Sequence, residues 1–482
     1  MTQSLLMEAQ SLRLERDIDG SIAVLRVVIL NCNADAGEKA TTDTEHQMTH
    51  QLREMASYQL ALLLLQTGGR CSNQRSEREA DEILMKLGYR MRLSTKAFGY
   101  PACECEVDKS SCKLKTNEES KLPLLMIDNI LPQPLFDALR HSFRPNSQYW
   151  TNFYSKTINE GEGGTRRIFA SHNVPLPIST ELTYTKCIDK ACSLIEQVAI
   201  IVKHSLSKHF PSVLSASSAE VWSHRRPPDA QHQLHYDMDE IRLHKLKQRH
   251  KDECNSTIRG SKRQKVEICS EKRNITNKEE DLSMMKDICP IVSCVLTISV
   301  PNETKTCDRC GRLGDGAPTL VCNQSFVGSR SNEGWLCYPR LNRLVAFHGS
   351  LLHAVVPGIP SEALSEDEDE CSRVTLMMGF WKEVTLTVPD ETSQSLTIGP
   401  NVPFRSSLLD EFKPISFNEN TVTMHRDAAT NQVIDPSLVR PLWTEIDQAG
   451  DSNVHCREKD FSGRFFLRSI DPTDVDKEVL GL

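Results

Sequence analysis

The sequence predicts an α+β fold: a double-stranded β-helix (jelly-roll) barrel with buttressing helices, preceded by an all-α region over residues 1–98. Three observations lead there. Helical punctuation dominates the first hundred residues. Between residues 219 and 381, eight short runs of β-branched or apolar residues are separated by Gly, Pro and Asn turns. Between these two regions, a short apolar strand and amphipathic helical stretches supply elements suited to buttress a sheet.

In the first region, helices are expected over Leu5–Arg16, Ile22–Leu30 and Met48–Gln66, the last stopping at Thr67-Gly68-Gly69. A fourth has Ser76 and Glu79 in a capping-box pattern. Its apolar face is Ala80, Ile83, Leu84 and Leu87, and Gly88 is its C-cap. Helices joined by short turns resemble tetratricopeptide packing, but no strict 34-residue period is present. Residues 99–120 read as a linker carrying Cys103, Cys105 and Cys112. Leu124–Ile127 reads as a strand and Leu135–Phe143 as a helix. A further strand is expected at Ile168–Ala170 and one long amphipathic helix at Ile178–His209. The barrel strands are expected at Ala219–Ser223, Gln233–Asp237, Ile291–Val300, Thr319–Asn323, Gly334–Tyr338, Leu344–His348, His353–Val356 and Val374–Trp381. This places the domain at 121–390, with solvated insertions at 241–286 and 361–370 and a partly disordered C-terminal extension at 391–482. The first insertion holds thirteen Lys/Arg against seven Asp/Glu. Its Arg259–Lys265 run could serve as a nuclear address, although a solvated loop is the simpler reading.

Composition narrows the function classes. A net charge of -8 gives no overall basic footprint for nucleic acid. No apolar run approaches the roughly 20 residues that span a bilayer, and no secretory signal is visible. Seventeen cysteines are then expected as free thiols in a reducing compartment, cytoplasmic or nuclear.

Candidate chemistry rests on His235, Asp237 and His353. His-x-Asp alone is weak, because fifteen histidines with aspartate at about 6% of residues give roughly one chance occurrence. The chain has three: His235/Asp237, His250/Asp252 and His425/Asp427. His250 lies in the charged insertion. His425-Arg426-Asp427 lacks the glycine-rich phosphate loop of a kinase. His235 and Asp237 lie on an alternating segment, where residues two apart share a face. His353 leads an apolar strand and is preferred to His348. Two imidazoles and one carboxylate leave open positions on a metal, the facial arrangement of non-haem Fe(II) sites. The spacing from His235 to His353 is 118 residues, and 72 without the first insertion. From His353 to Arg373 it is 20, and 10 without the second. Arg373 offers a planar fork to a carboxylate, and alternation places Thr375 beside it. Trp222, His232, Tyr236 and Trp381 are candidate pocket residues.

The segments Glu220-Val221-Trp222, Leu234-His235-Tyr236-Asp237-Met238-Asp239-Glu240, Pro290–Ser293, Gly316–Val321 and Asn342–Phe347 together resemble the 2-oxoglutarate- and Fe(II)-dependent dioxygenase superfamily. More narrowly, the chain is similar to a eukaryotic branch with a helical N-terminal region. The resemblance covers about residues 120–385. It implies Fe(II) on His235, Asp237 and His353, with 2-oxoglutarate held by Arg373 and Thr375. It also implies dioxygen as co-substrate with ascorbate in support, hydroxylation of a protein or small molecule, and release of succinate and CO2. His348 departs from the pattern, which has an acidic residue before Gly-Ser.

Two other classes stay open. Cys307 and Cys310 form half of a zinc ribbon, with Cys322 and Cys337 following singly. A helical arm on an inactive barrel would be a scaffold. The helical region favours a protein substrate and is a candidate surface for a protein partner.

Overall fold

A computed structural model describes residues 2–99 with breaks at 15–16, 38–42 and 72–73. It further describes 122–243 with breaks at 151–156, 161–163, 168–170, 178–183, 227–229 and 240. Beyond these it describes 245, 248, 288–300, 317–326, 330–357, 373–385, 402–403, 410–416, 432–446 and 465–467. The linker cysteines, Arg259–Lys265, Cys307, Cys310, His425 and the acidic insertion lie outside these residues, as does the Ile168–Ala170 strand.

The chain starts with helices α1 (Thr2–Leu14), α2 (Ile18–Gly37), α3 (Asp43–Cys71) and α4 (Gln74–Lys86), each packed on the next. The C-cap of α4 forms as expected. Gly88 adopts φ 84°, its N–H donates to Met85 O at 3.0 Å, and the Tyr89 N–H donates to Leu84 O at 2.9 Å. The capping box does not form, because the helix already begins at Gln74 and Ser76 lies inside its first turn. Glu79 instead pairs with Arg26 of α2 through both carboxylate oxygens.

After α4 come β1 (Met91–Leu93) and a one-turn α5 (Thr95–Phe98). Next are β2 (Leu124–Asp128), α6 (Gln133–Ser142), the hairpin β3 (Thr157–Glu160) and β4 (Gly164–Arg167), and β5 (His172–Pro175). The single helix expected over Ile178–His209 is two, α7 (Tyr184–Asp189) and α8 (Leu194–Leu206). The break has a local cause: Ser193 is extended, and its hydroxyl accepts from the Glu196 N–H at 3.1 Å. The Glu196 carboxylate accepts from the Cys192 N–H at 2.7 Å, so α8 starts afresh on a side-chain cap.

The remaining strands are β6 (Ser218–Arg226), β7 (His232–His235), β8 (Val292–Ser299), β9 (Thr319–Ser325), β10 (Gly334–Cys337), β11 (Leu344–His348), β12 (Leu351–Val355), β13 (Arg373–Trp381), β14 (Val402–Pro403), β15 (Gln432–Ile434), β16 (Ser437–Val439), β17 (Trp443–Glu445) and β18 (Phe466–Leu467). The eight expected between 219 and 381 are all present. An eight-stranded sheet runs β14-β5-β6-β13-β8-β11-β2-β15, and a five-stranded sheet runs β16-β10-β9-β12-β7. All pairings are antiparallel except β14 with β5.

Strand alternation builds the layers. On β13, Val374, Leu376, Met378 and Phe380 join Ala219 and Val221 of β6 in a core under α6 and α8. Burying each of the four β13 side chains stabilises the fold by about 1.5–3 kcal/mol. On the five-stranded sheet, Leu320, Cys322, Leu352 and Ala354 face the core shared with α1–α4. The inner faces of the two sheets meet through Met126, Val345 and Phe347 from one and Val321, Trp335 and Leu351 from the other. The chain crosses between the sheets in two residues, Gly349-Ser350. A Cβ at Gly349 would lie 2.1 Å from Pro290 O, so only glycine fits that corner.

C-terminal segments join every layer. β15 pairs with β2, β16 with β10, and β17 and β18 flank β1 in a three-stranded sheet. Among the described residues no helix is long and apolar enough to cross a membrane.

Candidate metal centre

β7 and β12 pair with His353 opposite His235. Leu234 and Tyr236 of the β7 segment and Leu352 of β12 face the helical core. The intervening His235, Asp237 and His353 therefore point between the sheets. Their ligand atoms all lie within 4.8 Å of one another. His235 Nε2 is 3.7 Å and His353 Nε2 is 3.6 Å from the same oxygen, Asp237 Oδ1, with the ring centroids 4.1 Å apart.

The tautomers follow from the backbone. His235 Nδ1 is 2.8 Å from Gln233 O, and His353 Nδ1 is 3.0 Å from Leu351 O. A carbonyl only accepts, so each Nδ1 carries the proton and donates. Each Nε2 is left facing the carboxylate. Phe347 packs against the His353 ring at 4.8 Å and limits its rotation. Burial first, then the neighbouring His353, lower the His235 pKa to about 4 against the opposing pull of Asp237, so the ring is neutral near pH 7.

A metal bound at about 2.1 Å by each donor spaces neighbouring donors ~3 Å apart. The 3.6–3.7 Å separations close to that with sub-ångström side-chain shifts. Two imidazoles and one carboxylate on one side suit a first-row divalent ion with open positions opposite. The donor set fits a metal.

The site opens into a cavity between the sheets. Arg373, Thr375 and Met377 of β13 line one wall in register with Arg226, His224 and Trp222 of β6. Thr297, Val295 and Cys294 continue that wall, and His232, Thr319 and Cys337 lie across it. Arg373 is buried, and its Nη1 donates to Ala317 O. Burial, then the charge of His235, drives His232 far below its ordinary value, and burial raises the Cys294 thiol.

No family model and no curated protein matches the chain. Among solved structures it is similar to a Pseudomonas putida prolyl-4-hydroxylase, at 12% identity over 56% of this chain and 88% of that one, with a TM-score of 0.24. It is also similar to AviO1 from Streptomyces viridochromogenes Tue57 (9%, 54% and 90%, TM-score 0.24) and EvdO2 from Micromonospora carbonacea var. aurantiaca (11%, 56% and 91%, TM-score 0.25).

Of the sequence-predicted residues, the structure brings together His235, Asp237, His353, Arg373, Thr375, Trp222 and His232 around one cavity. Tyr236 does not join them. As the odd residue between two inward ligands it must face outward, where it packs on Phe326 at 5.4 Å. Trp381 is not in the lining either: it is buried, with its indole nitrogen where a Cβ on Gly379 would come within 2.9 Å. His348 is exposed, meets Phe210 edge-to-face at 5.1 Å, and is not among the cavity-lining residues. Asp239 is structural: its carboxylate accepts from the N–H groups of Arg242 and Thr385. Cys322 faces the helical core and Cys337 the cavity, so the two cannot share a zinc ion. Sequence reasoning missed Arg226 and His224. The alternation Trp222, His224, Arg226 was the signal that would have found them.

Proposed function

We propose that this chain is an Fe(II)- and 2-oxoglutarate-dependent dioxygenase of the hydroxylase type, on a double-stranded β-helix. The observation that carries this reading is one cavity with a His-Asp-His donor set on one sheet and an Arg-x-Thr pair, Arg373 and Thr375, on the sheet facing it. A metal alone would need only the first. A buried guanidinium beside a hydroxyl, on the opposite wall, is what a keto-acid reaching from the metal requires for its far carboxylate.

In this reading His235, Asp237 and His353 hold the metal. Iron(II) held there, with dioxygen and 2-oxoglutarate, would supply the oxidising chemistry of a hydroxylation, with succinate and CO2 as co-products. The protein's own groups do the rest. The Nδ1 donations to Gln233 O and Leu351 O keep both imidazoles in the ligating tautomer. Arg373 and Thr375 bind and orient the co-substrate. Val295, Phe347 and Met377 keep the cavity wall apolar and limit water. A protein or small-molecule substrate enters at the mouth, and a protein is preferred because of the helical layer behind the five-stranded sheet.

The test is succinate release from 2-oxoglutarate under air with added Fe(II), with ascorbate as supporting reductant. Release abolished by His235→Ala and by Asp237→Ala supports the proposal. No release, together with no metal binding by the wild-type chain, would leave a scaffold.

A further inference from the structure

β7 and β12 fall out of step beside the metal ligands. His235 is opposite His353, but His232 is opposite Val355, so three steps along β7 match two along β12. The extra residue is a β-bulge in β7. Regular alternation would put residues 232 and 235 on opposite faces of the sheet. Leu234 and Tyr236 obey it and face the helical core. The bulge breaks it once, so that His232 lines the cavity together with His235 and Gln233 is not in the lining. There the His232 ring meets the His235 ring edge-on, with centroids 4.4 Å apart and planes at 79°. The His224 ring of β6 lies 5.8 Å from His232 and gives it a further aromatic neighbour.

The two ligating histidines are thereby held in the same way. Each donates its Nδ1 proton to the carbonyl two residues before it, Gln233 O or Leu351 O. Each also has one ring against it, Phe347 beside His353 at 4.8 Å and His232 beside His235. A single hydrogen bond leaves an imidazole free to pivot about the bonded atom, and a ring packed on its flank removes that freedom. His235 needs the support more, because its side chain is 26% exposed against 8% for His353.

We infer that His232 is a positioning residue of the metal centre: turned inward by the β7 bulge, it wedges the His235 ring in the orientation that presents Nε2 to the metal. The inference rests on the metal centre of His235, Asp237 and His353, and not on the co-substrate or the reaction. The wedge acts through shape. A phenyl ring at position 232 should therefore serve, as Phe347 serves His353, whereas a methyl group cannot reach the imidazole.

The experiment uses the full chain as wild type, His232→Ala, His232→Phe and His232→Gln. Mn(II) affinity is measured by calorimetry, and the visible absorption of the Co(II)-loaded protein reports ligand geometry. Melting in EDTA shows which variants are folded. His232→Ala is expected to weaken Mn(II) by about tenfold or more and to alter the Co(II) bands, while His232→Phe stays within about threefold of wild type and keeps them. His232→Ala binding within about twofold of wild type overturns the wedge. So does an equal loss in His232→Phe and His232→Ala, because a ring nitrogen rather than the ring's shape would then be acting. If His232→Ala does not fold, His232→Phe and His232→Gln decide: tighter binding by Phe supports the wedge, and equal or tighter binding by Gln overturns it. A wild-type chain that binds neither ion sinks the metal centre and the wedge with it. A wild-type chain that binds Mn(II) as tightly as His232→Ala sinks the wedge alone.

Discussion

Asp237→Ala is the sharpest perturbation of the centre, because both Nε2 atoms face the same carboxylate oxygen at 3.6–3.7 Å. A metal present at one hundred times its Kd stabilises the folded chain by about 2.7 kcal/mol. For a domain of about 250 residues that raises the melting midpoint by roughly 5–10 °C. Loss of an outer-shell partner alone weakens metal binding by about 10–100-fold, so loss of the only anionic ligand should weaken it by at least about 100-fold. At the same metal concentration the stabilisation then falls to about 0.4 kcal/mol, a shift of about 1 °C. The assay is thermal unfolding of the wild-type chain and the variant with Mn(II) and with EDTA at pH 7.5. The sign with pH is also fixed. His235 titrates near 4 in the fold, so the metal-dependent shift should persist at pH 6 and fade as pH drops toward 4, where the ring takes up a proton. A variant that keeps the full wild-type shift would refute a centre built on these three residues.

Three further outcomes test the framework. Asp128 accepts from Arg343 (Nη2 to Oδ2, 3.1 Å) and Arg340 (2.8 Å), and Arg343 is 1% exposed. Asp128→Ala should therefore cost about 3–5 kcal/mol in urea denaturation, and adding Arg343→Met should recover much of it; a loss below about 1 kcal/mol would contradict the pairing. Burial lowers His172 to about 4, so between pH 6.5 and 4 the unfolded ring takes a proton that the folded one refuses, and stability falls as pH falls. His172→Asn should remove up to about 3 kcal/mol of that decline, read from denaturation midpoints at pH 7 and 4.5; equal declines would count against it. Phe466 is buried against Tyr58, Tyr89 and Phe98 at 4.9, 5.6 and 6.1 Å. Phe466→Ala should cost about 3–5 kcal/mol, and a neutral result would mean that β18 is dispensable.

The parts of the fold legible in the sequence are those written in local periodicity. Alternation on Val374–Phe380 fixed both the strand and its inner face, and with it the positions of Arg373 and Thr375. The same rule, followed strictly, excludes Tyr236 from the cavity and includes Arg226. The strand was read only to Ser223, three residues short of its end. The split between α7 and α8 was hidden because the apolar spacing runs on across Ser193, while the hydroxyl cap breaks the helix. β15–β18 were not foreseen, since two- and three-residue strands such as Phe466–Leu467 are too short for a period and gain their partners from remote chain. The cavity's charge was only half visible: one arginine carried a motif, and its register partner became apparent once β6 and β13 were paired.

The capture of β1 between β17 and β18 bears on how the molecule is made. The Phe465 N–H donates to the hydroxyl of Tyr58, 407 residues earlier in the chain. At about 5–20 residues per second, a ribosome takes on the order of tens of seconds to deliver that tail after Met91 has emerged. Throughout that interval the nascent helices present a bare strand with two open margins and an aromatic hollow awaiting Phe466. Such an intermediate invites chaperones, and an early stop after residue 431 should produce a protein recognised by quality control rather than a smaller stable one.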